Sequence, residues 1–184
     1  MNTIDVLDDT VLREVHSINL RGLQLLQNPL NAGVGTAAPG PCAGPAGRLA
    51  GGGPLSGSLR ELALWRSIEP AGMARLAEQP FLLFDIGLDD PLRWHAARTP
   101  AIGDDQVGAT GPFSGRNAAQ FAGTLFHYSW FLARMAPLTA VIVAGMAPAT
   151  AEVLRGLSLQ QVDELAQRSP HWLRLRWEDS PVLW

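Results

Sequence analysis

Asp85, Asp89 and Asp90 stand close together in the chain, just ahead of Trp94 and His95. Carboxylates at that spacing can bind a cation or work as an acid/base pair. The competing expectation is structural, because aspartate caps turns through its own backbone. Glu178 and Asp179 recur at the equivalent turn of a second, similar segment, and repetition at a turn favours the structural use. His16, His95, His127 and His171 form neither HxxxH nor HExxH, so a zinc or catalytic site would have to be assembled by folding alone. Gly33, Gly35 and Gly40 include a GxG, but no strand precedes it. The chain has no lysine, which excludes a P-loop, and no serine lies in a GxSxG elbow. Cys42 falls in a glycine-rich stretch where nothing holds a base against it, so an inert exposed thiol is expected. These residues together predict no enzyme, no metal and no cofactor.

The chain has 184 residues, of which 47% are hydrophobic, enough to bury a core as one domain or two small ones. A formal charge of −3 argues for neither a nucleic-acid glove nor an acidic tail. One cysteine excludes an intramolecular disulfide and suits a reducing cytoplasm, the expected location. The acidic opening MNTIDVLDDT has no apolar h-region, so no signal peptide is expected. The apolar stretch 121–146 is broken by Arg134 and Pro137 and reads as a buried helix rather than a membrane span.

The elements that would position any site come twice. Residues 64–94 and 153–184 align with one inserted residue near Ser169. Arg66 then falls on Arg155, Leu76-Ala77 on Leu165-Ala166, and Pro80 on Pro170. Asp89, Pro91 and Trp94 fall on Asp179, Pro181 and Trp184. A period of about ninety residues is too long for a solenoid and suits two copies of a small domain.

Asp8-Asp9-Thr10 starts a helix carried by Val11, Val15, Ile18 and Leu25, and Asn28-Pro29 stops it. Residues 28–57, rich in Gly, Ala and Pro, read as a flexible linker. Ser58…Glu61 is a capping box, and Pro70 opens another helix, PAGMARLAEQ. PFLLFDI reads as a short buried strand, Asp89-Asp90-Pro91 as a turn, and 95–116 as a connecting loop.

In the second half, Phe121, Leu125, Tyr128, Leu132 and Met135 form a heptad-like stripe, fit for a core or a dimer seam. Pro137 breaks that helix, and Leu138–Met146 is ambiguous between strand and helix. A short helix runs from Pro148 to Leu154, and Ser158…Gln161 caps LQQVDELAQ. Trp172–Trp177 alternates apolar and basic residues, as a strand with one wet face. Five of the six tryptophans lie in the repeated segments. Some are core; others suit a contact surface, where tryptophan supplies anchor area.

Residues 140–177, AVIVAGMAPATAEVLRGLSLQQVDELAQRSPHWLRLRW, resemble the core of FlhD, the flagellar transcriptional activator subunit. The matching positions are Gly145, Leu157-Ser158, Gln161-Val162, Leu165-Ala166 and the strand Leu173–Trp177. Residues 15–27, VHSINLRGLQLLQ, resemble that family's opening helix with its IN-L signature. The resemblance implies a mainly α-helical fold that dimerises and works with a partner subunit, FlhC, on promoter DNA. A tandem copy implies two FlhD-like helical repeats packed as an intrachain pseudo-dimer, each ending in a short strand. The first repeat would span 1–94, interrupted by the 28–57 linker, and the second 117–184. Family members continue past the strand into helices that carry DNA contacts, whereas this chain ends at Trp184. The family's cysteine has no counterpart in the matching segment.

Pro148–Gln167 has helix-turn-helix proportions, and Arg155, Gln160 and Arg168 are its candidate nucleic-acid contacts. Asp163 and Glu164 on the second helix would face phosphates badly, so DNA is expected only through a partner. The function expected is that of a non-enzymatic regulatory or adaptor subunit. It would dock a protein partner, FlhC-like or an assembly component, through Trp94, Trp172, Arg174, Arg176, Trp177 and Trp184. The alternative is a structural component of a secretion or cell-surface machine using the same fold without DNA. Homo-oligomerisation is compatible with either.

Overall fold

The computed structural model describes residues 8–27, 65–98, 113 and 115–177. The linker at 28–57, Cys42, the Ser58…Glu61 box, Glu178-Asp179 and Trp184 lie outside the described residues. Helices take 73% of what is described, which makes the protein mainly α.

Helix α1, Asp9–Gln27, starts where the acidic cluster places it: the Asp8 carboxylate accepts from the Thr10 backbone N–H. Val15, Ile18, Leu23 and Leu26 form its buried stripe. Helix α2, Pro70–Ala77, opens on proline, whose missing N–H costs nothing at a helix start. It packs on α1. Strand β1 covers only Phe84–Asp85, and helix α3 spans Pro91–Ala97.

Helix α4, Arg116–Met135, is the long helix of the second half. Ala136 then leaves helical geometry and Pro137 opens α5, Pro137–Ala144. The ambiguous Leu138–Met146 stretch is thus largely helix, closed by Gly145 in the left-handed conformation (φ 63°). Helix α6, Pro148–Arg155, and helix α7, Leu159–Arg168, both pack on α4. Both bonds of the Ser158–Gln161 capping box are present at the start of α7. A 3-10 turn, Pro170–Trp172, leads into strand β2, Arg174–Leu175.

The two halves share one hydrophobic core. α1 packs on α4, α3 packs on α6, and β1 pairs antiparallel with β2. Phe84 stacks edge-on against Phe121 at 5.1 Å, and Trp94 against Trp172 at 5.3 Å. Gly22 permits a close approach of the halves: a Cβ there would collide with the Phe84 and Phe121 rings.

Several local expectations change. The strand expected over PFLLFDI shrinks to a pair of residues because its backbone groups bond in three directions. Leu83 N–H goes to the Asn19 side chain, Leu82 N–H to the Val143 carbonyl, and only Phe84–Asp85 pairs with β2. Asp90 is a helix cap rather than a turn residue, accepting from Arg93 N–H, so α3 runs into the segment expected to be loop. Met135, placed by spacing on a stripe fit for a core or a dimer seam, is exposed at the last turn of its helix and so is not part of the core. Trp172 and Leu173 are both buried, since the 3-10 turn replaces the alternation of a longer strand.

Candidate functional site

The described residues expected to bind a partner, Trp94, Trp172, Arg174, Arg176 and Trp177, gather at the β1–β2 seam, where the halves meet. They do not all face outward. Trp94 is fully buried, and its indole N–H donates to the Gly87 carbonyl at 2.8 Å. Trp172 is 8% exposed, held between Trp94, Phe126 and the Arg93 guanidinium, which lies 4.2 Å from its ring centroid. Both tryptophans are core in this structure and are removed from the accessible docking set: their rings fill the gap between α3, α4 and the end of α7.

Arg174 is the hinge of the seam. Its Nε and Nη2 donate to Asp85 Oδ2 at 2.9 and 2.6 Å, and Nη2 reaches Asp89 Oδ1 at 2.8 Å. Asp85 is 5% exposed and also accepts from the Leu88 N–H at 3.0 Å. A buried carboxylate is tolerable only when so paired and hydrogen-bonded. This answers the question the three carboxylates pose. Asp85 and Asp89 hold an arginine of the other half, Asp90 caps α3, and each has a structural partner. The arrangement is an intrachain clamp.

Arg176 completes the clamp from the other side. Its backbone N–H bonds Leu83 O at 2.8 Å, and its guanidinium lies over Gly145 and donates to Val143 O at 3.1 Å. Burial pulls the Arg176 guanidinium below its usual pKa, with Asp85 and Asp89 pulling it back up. Burial and the neighbouring Arg174 lower Arg93 likewise, against Asp90, Asp85 and Asp89. Arginine stays charged through such shifts. Trp177 is half-buried, at a left-handed φ of 60°, with Phe81 edge-on at 5.0 Å and the Arg176 guanidinium 4.4 Å away. Of the expected docking residues, Arg174, Arg176 and Trp177 therefore retain surface, and Phe81 joins them.

The expected nucleic-acid residues have partners within the chain. Gln160 donates to Glu164 on its own helix, Arg168 donates to the Ala97 carbonyl, and the Arg155 carbonyl accepts from Arg134. Asp163 also turns back to the protein: His127 Nε2 lies 2.6 Å from its Oδ1, and His127 Nδ1 lies 2.7 Å from Gly123 O. Both ring nitrogens face oxygen atoms, which tie α4 to α7 through the imidazole. His127 borders an open groove of about 610 Å³ between α1 and α4, together with Glu14, Arg21, Thr124 and Tyr128. Among the described residues, no group of His, Cys, Asp or Glu is arranged to hold a metal ion, and no helix is long and apolar enough to cross a membrane.

Sequence reasoning missed two positioning residues. Asn19 is fully buried; it accepts from Leu83 N–H and donates to the carbonyls of Ala77 and Phe81. Its place in an IN-L signature was the available signal. Asp163 stood out only as a charge unfavourable to DNA, and nothing in its spacing pointed to His127.

The fold and seam define a mainly helical protein whose halves are clamped by two short strands and an arginine–carboxylate cluster. Comparison with protein-family models, curated proteins and solved structures finds no match to this chain.

Proposed function

We propose that this chain is a non-enzymatic regulatory or adaptor subunit, an FlhD-like pseudo-dimer within one polypeptide, that docks a protein partner at the outer side of its strand seam. The observation that carries the reading is the strand register. Aligning 64–94 with 153–184 makes Phe84 equivalent to Arg174 and Asp85 equivalent to Leu175. The pairs in the sheet are Phe84 with Leu175 and Asp85 with Arg174. Exchanging the halves turns each pair into the other, as a two-fold relation between copies requires. The same alignment lays α2 on α7, and each packs on the long helix of its own half. The uses found for Asp85, Asp89 and Asp90 favour binding over catalysis. Phe81, Arg174 and Trp177 supply the aromatic and arginine anchors that interfaces favour. DNA would be reached through the partner, because Asp163 and Glu164 share a helix with Gln160 and carboxylates face phosphates badly.

Affinity capture of the tagged full chain from its own cells, followed by reconstitution with the captured protein, tests this. The expected partner is a DNA-binding regulator whose promoter affinity rises when the chain is added. Trp177→Ala should weaken that complex about tenfold while leaving thermal unfolding little changed. A partner from a membrane machine, with no change in DNA binding, would move the reading to an assembly component.

A further inference from the structure

Helix α5 is apolar on both faces. Thr139, Ala140, Val143 and Ala144 pack inward, while Leu138, Val141 and Ile142 point to solvent. A helix apolar all round is normally buried. The outward face is not alone: Leu138 and Ile142 are 70% and 56% exposed, and on the preceding helix Phe131 and Met135 are 51% and 70% exposed. Phe131, Met135, Leu138 and Ile142 follow one another at intervals of four, three and four, the spacing of a seam between paired helices. The chain bends at Ala136 within that seam, so the face is a helical elbow rather than a straight stripe.

From this we infer that the α4–α5 elbow is the docking surface for a second copy of this chain, related by a two-fold axis. The composition of the face fits a copy of itself. No Asp or Glu occurs between Arg116 and Ala151, so the two helices of the elbow bring no carboxylate of their own to the contact. Arg134, on the same helix as Phe131 and Met135, is turned onto its own molecule: its guanidinium lies 5.0 Å from the Trp130 ring centroid and reaches the Arg155 carbonyl, while Glu14 and Arg21 border Phe131 only at the α1–α4 groove. The five apolar side chains present on the order of 500 Å² per copy, so two copies reach the ~1,000 Å² that a specific interface needs. An isologous contact brings each residue of the elbow against the same small set on the other copy, and an uncharged apolar patch is complementary to itself. The outward side chains of the elbow are not among the seam residues, and the inference stands whether or not that seam docks a partner.

Sedimentation equilibrium of the full chain from about 1 to 100 μM is the test. The expected species approaches twice the 19.7 kDa chain mass as concentration rises. Leu138→Asp and Ile142→Asp should each return the protein to 19.7 kDa with an unchanged melting temperature, because both side chains are exposed. Met135→Gln, a milder change, should weaken self-association at least several-fold. A wild-type chain that stays monomeric throughout the range overturns the inference. So does a folded Leu138→Asp protein that still dimerises, which would put the interface elsewhere. If the wild type is monomeric and instead co-sediments with phosphatidylglycerol vesicles, the elbow is a lipid-contact face and the second copy is ruled out.

Discussion

The first half of the molecule ties its long helix to its strand with a buried amide, whereas the second half ties its own with aromatic rings. In the first half, Asn19 on α1 bonds Ala77 O, Phe81 O and Leu83 N–H, pinning the α2–β1 connection. In the second half, the α7–β2 connection closes on itself through the 3-10 turn, and Trp172 wedges against Trp94 and Phe126. The difference teaches where specificity lies. An amide that must satisfy three backbone groups fixes one geometry of the first connection. Aromatic packing supplies more transfer free energy but reaches across the seam, because Trp94 belongs to the first half. The second half is thus completed by the first, which agrees with one shared core.

Replacing the aromatic wedge should have the largest effect. Trp172→Ala should cost about 3–5 kcal/mol, the range for deleting a large buried ring. Urea unfolding followed at both the α1 and α7 ends should show one cooperative loss. If only the second half loosens while the first unfolds at the wild-type midpoint, the halves are independent and the shared-core comparison breaks.

Asn19→Ala comes next. It leaves a buried N–H and two carbonyls without that partner, at about 3 kcal/mol. Asn19→Leu restores volume but no hydrogen bonds, so it should be no better than alanine. A leucine variant as stable as wild type would mean that packing, and not the amide, holds the first connection.

Much of this was legible in the sequence where a single local signal decides the outcome. Pro70 and Pro148 each open a helix, Pro137 breaks one, and Ser158…Gln161 caps one, because these effects act within one turn. The seam was not legible. The short strands are fixed by bonds to Asn19, Val143 and each other across the chain, and no spacing reports such partners. The candidate site suffered for the same reason. Tryptophan at a repeated turn is consistent with surface or core, and burial of Trp94 and Trp172 depends on rings from α3, α4 and the 3-10 turn arriving together. The carboxylates were readable as structural, but Arg174 as the partner of Asp85 and Asp89 was not.

The contact between α1 and α4, one from each half, offers the smallest and cleanest test. Tyr128 on α4 donates to Val11 O on α1 at 3.4 Å, and it is the only tyrosine in a chain without lysine. Burial pushes its phenol up to about 12 from the usual 10.0, with Glu14 of α1 adding to the rise. Between those values the unfolded chain releases the proton and the folded chain keeps it. The contribution is therefore fully present below pH 10 and is lost as pH rises towards 12. The phenolate absorption band isolates this one group. It should appear near pH 12 in the folded protein, near pH 10 in urea, and at lower pH in Glu14→Gln than in wild type. Tyr128→Phe should flatten the alkaline fall in stability, apart from what Cys42 contributes. Ionisation near pH 10 in the folded protein would mean that α1 does not cover Tyr128, and the two halves would then depend on the strand seam, the aromatic contacts and the packing of α3 on α6.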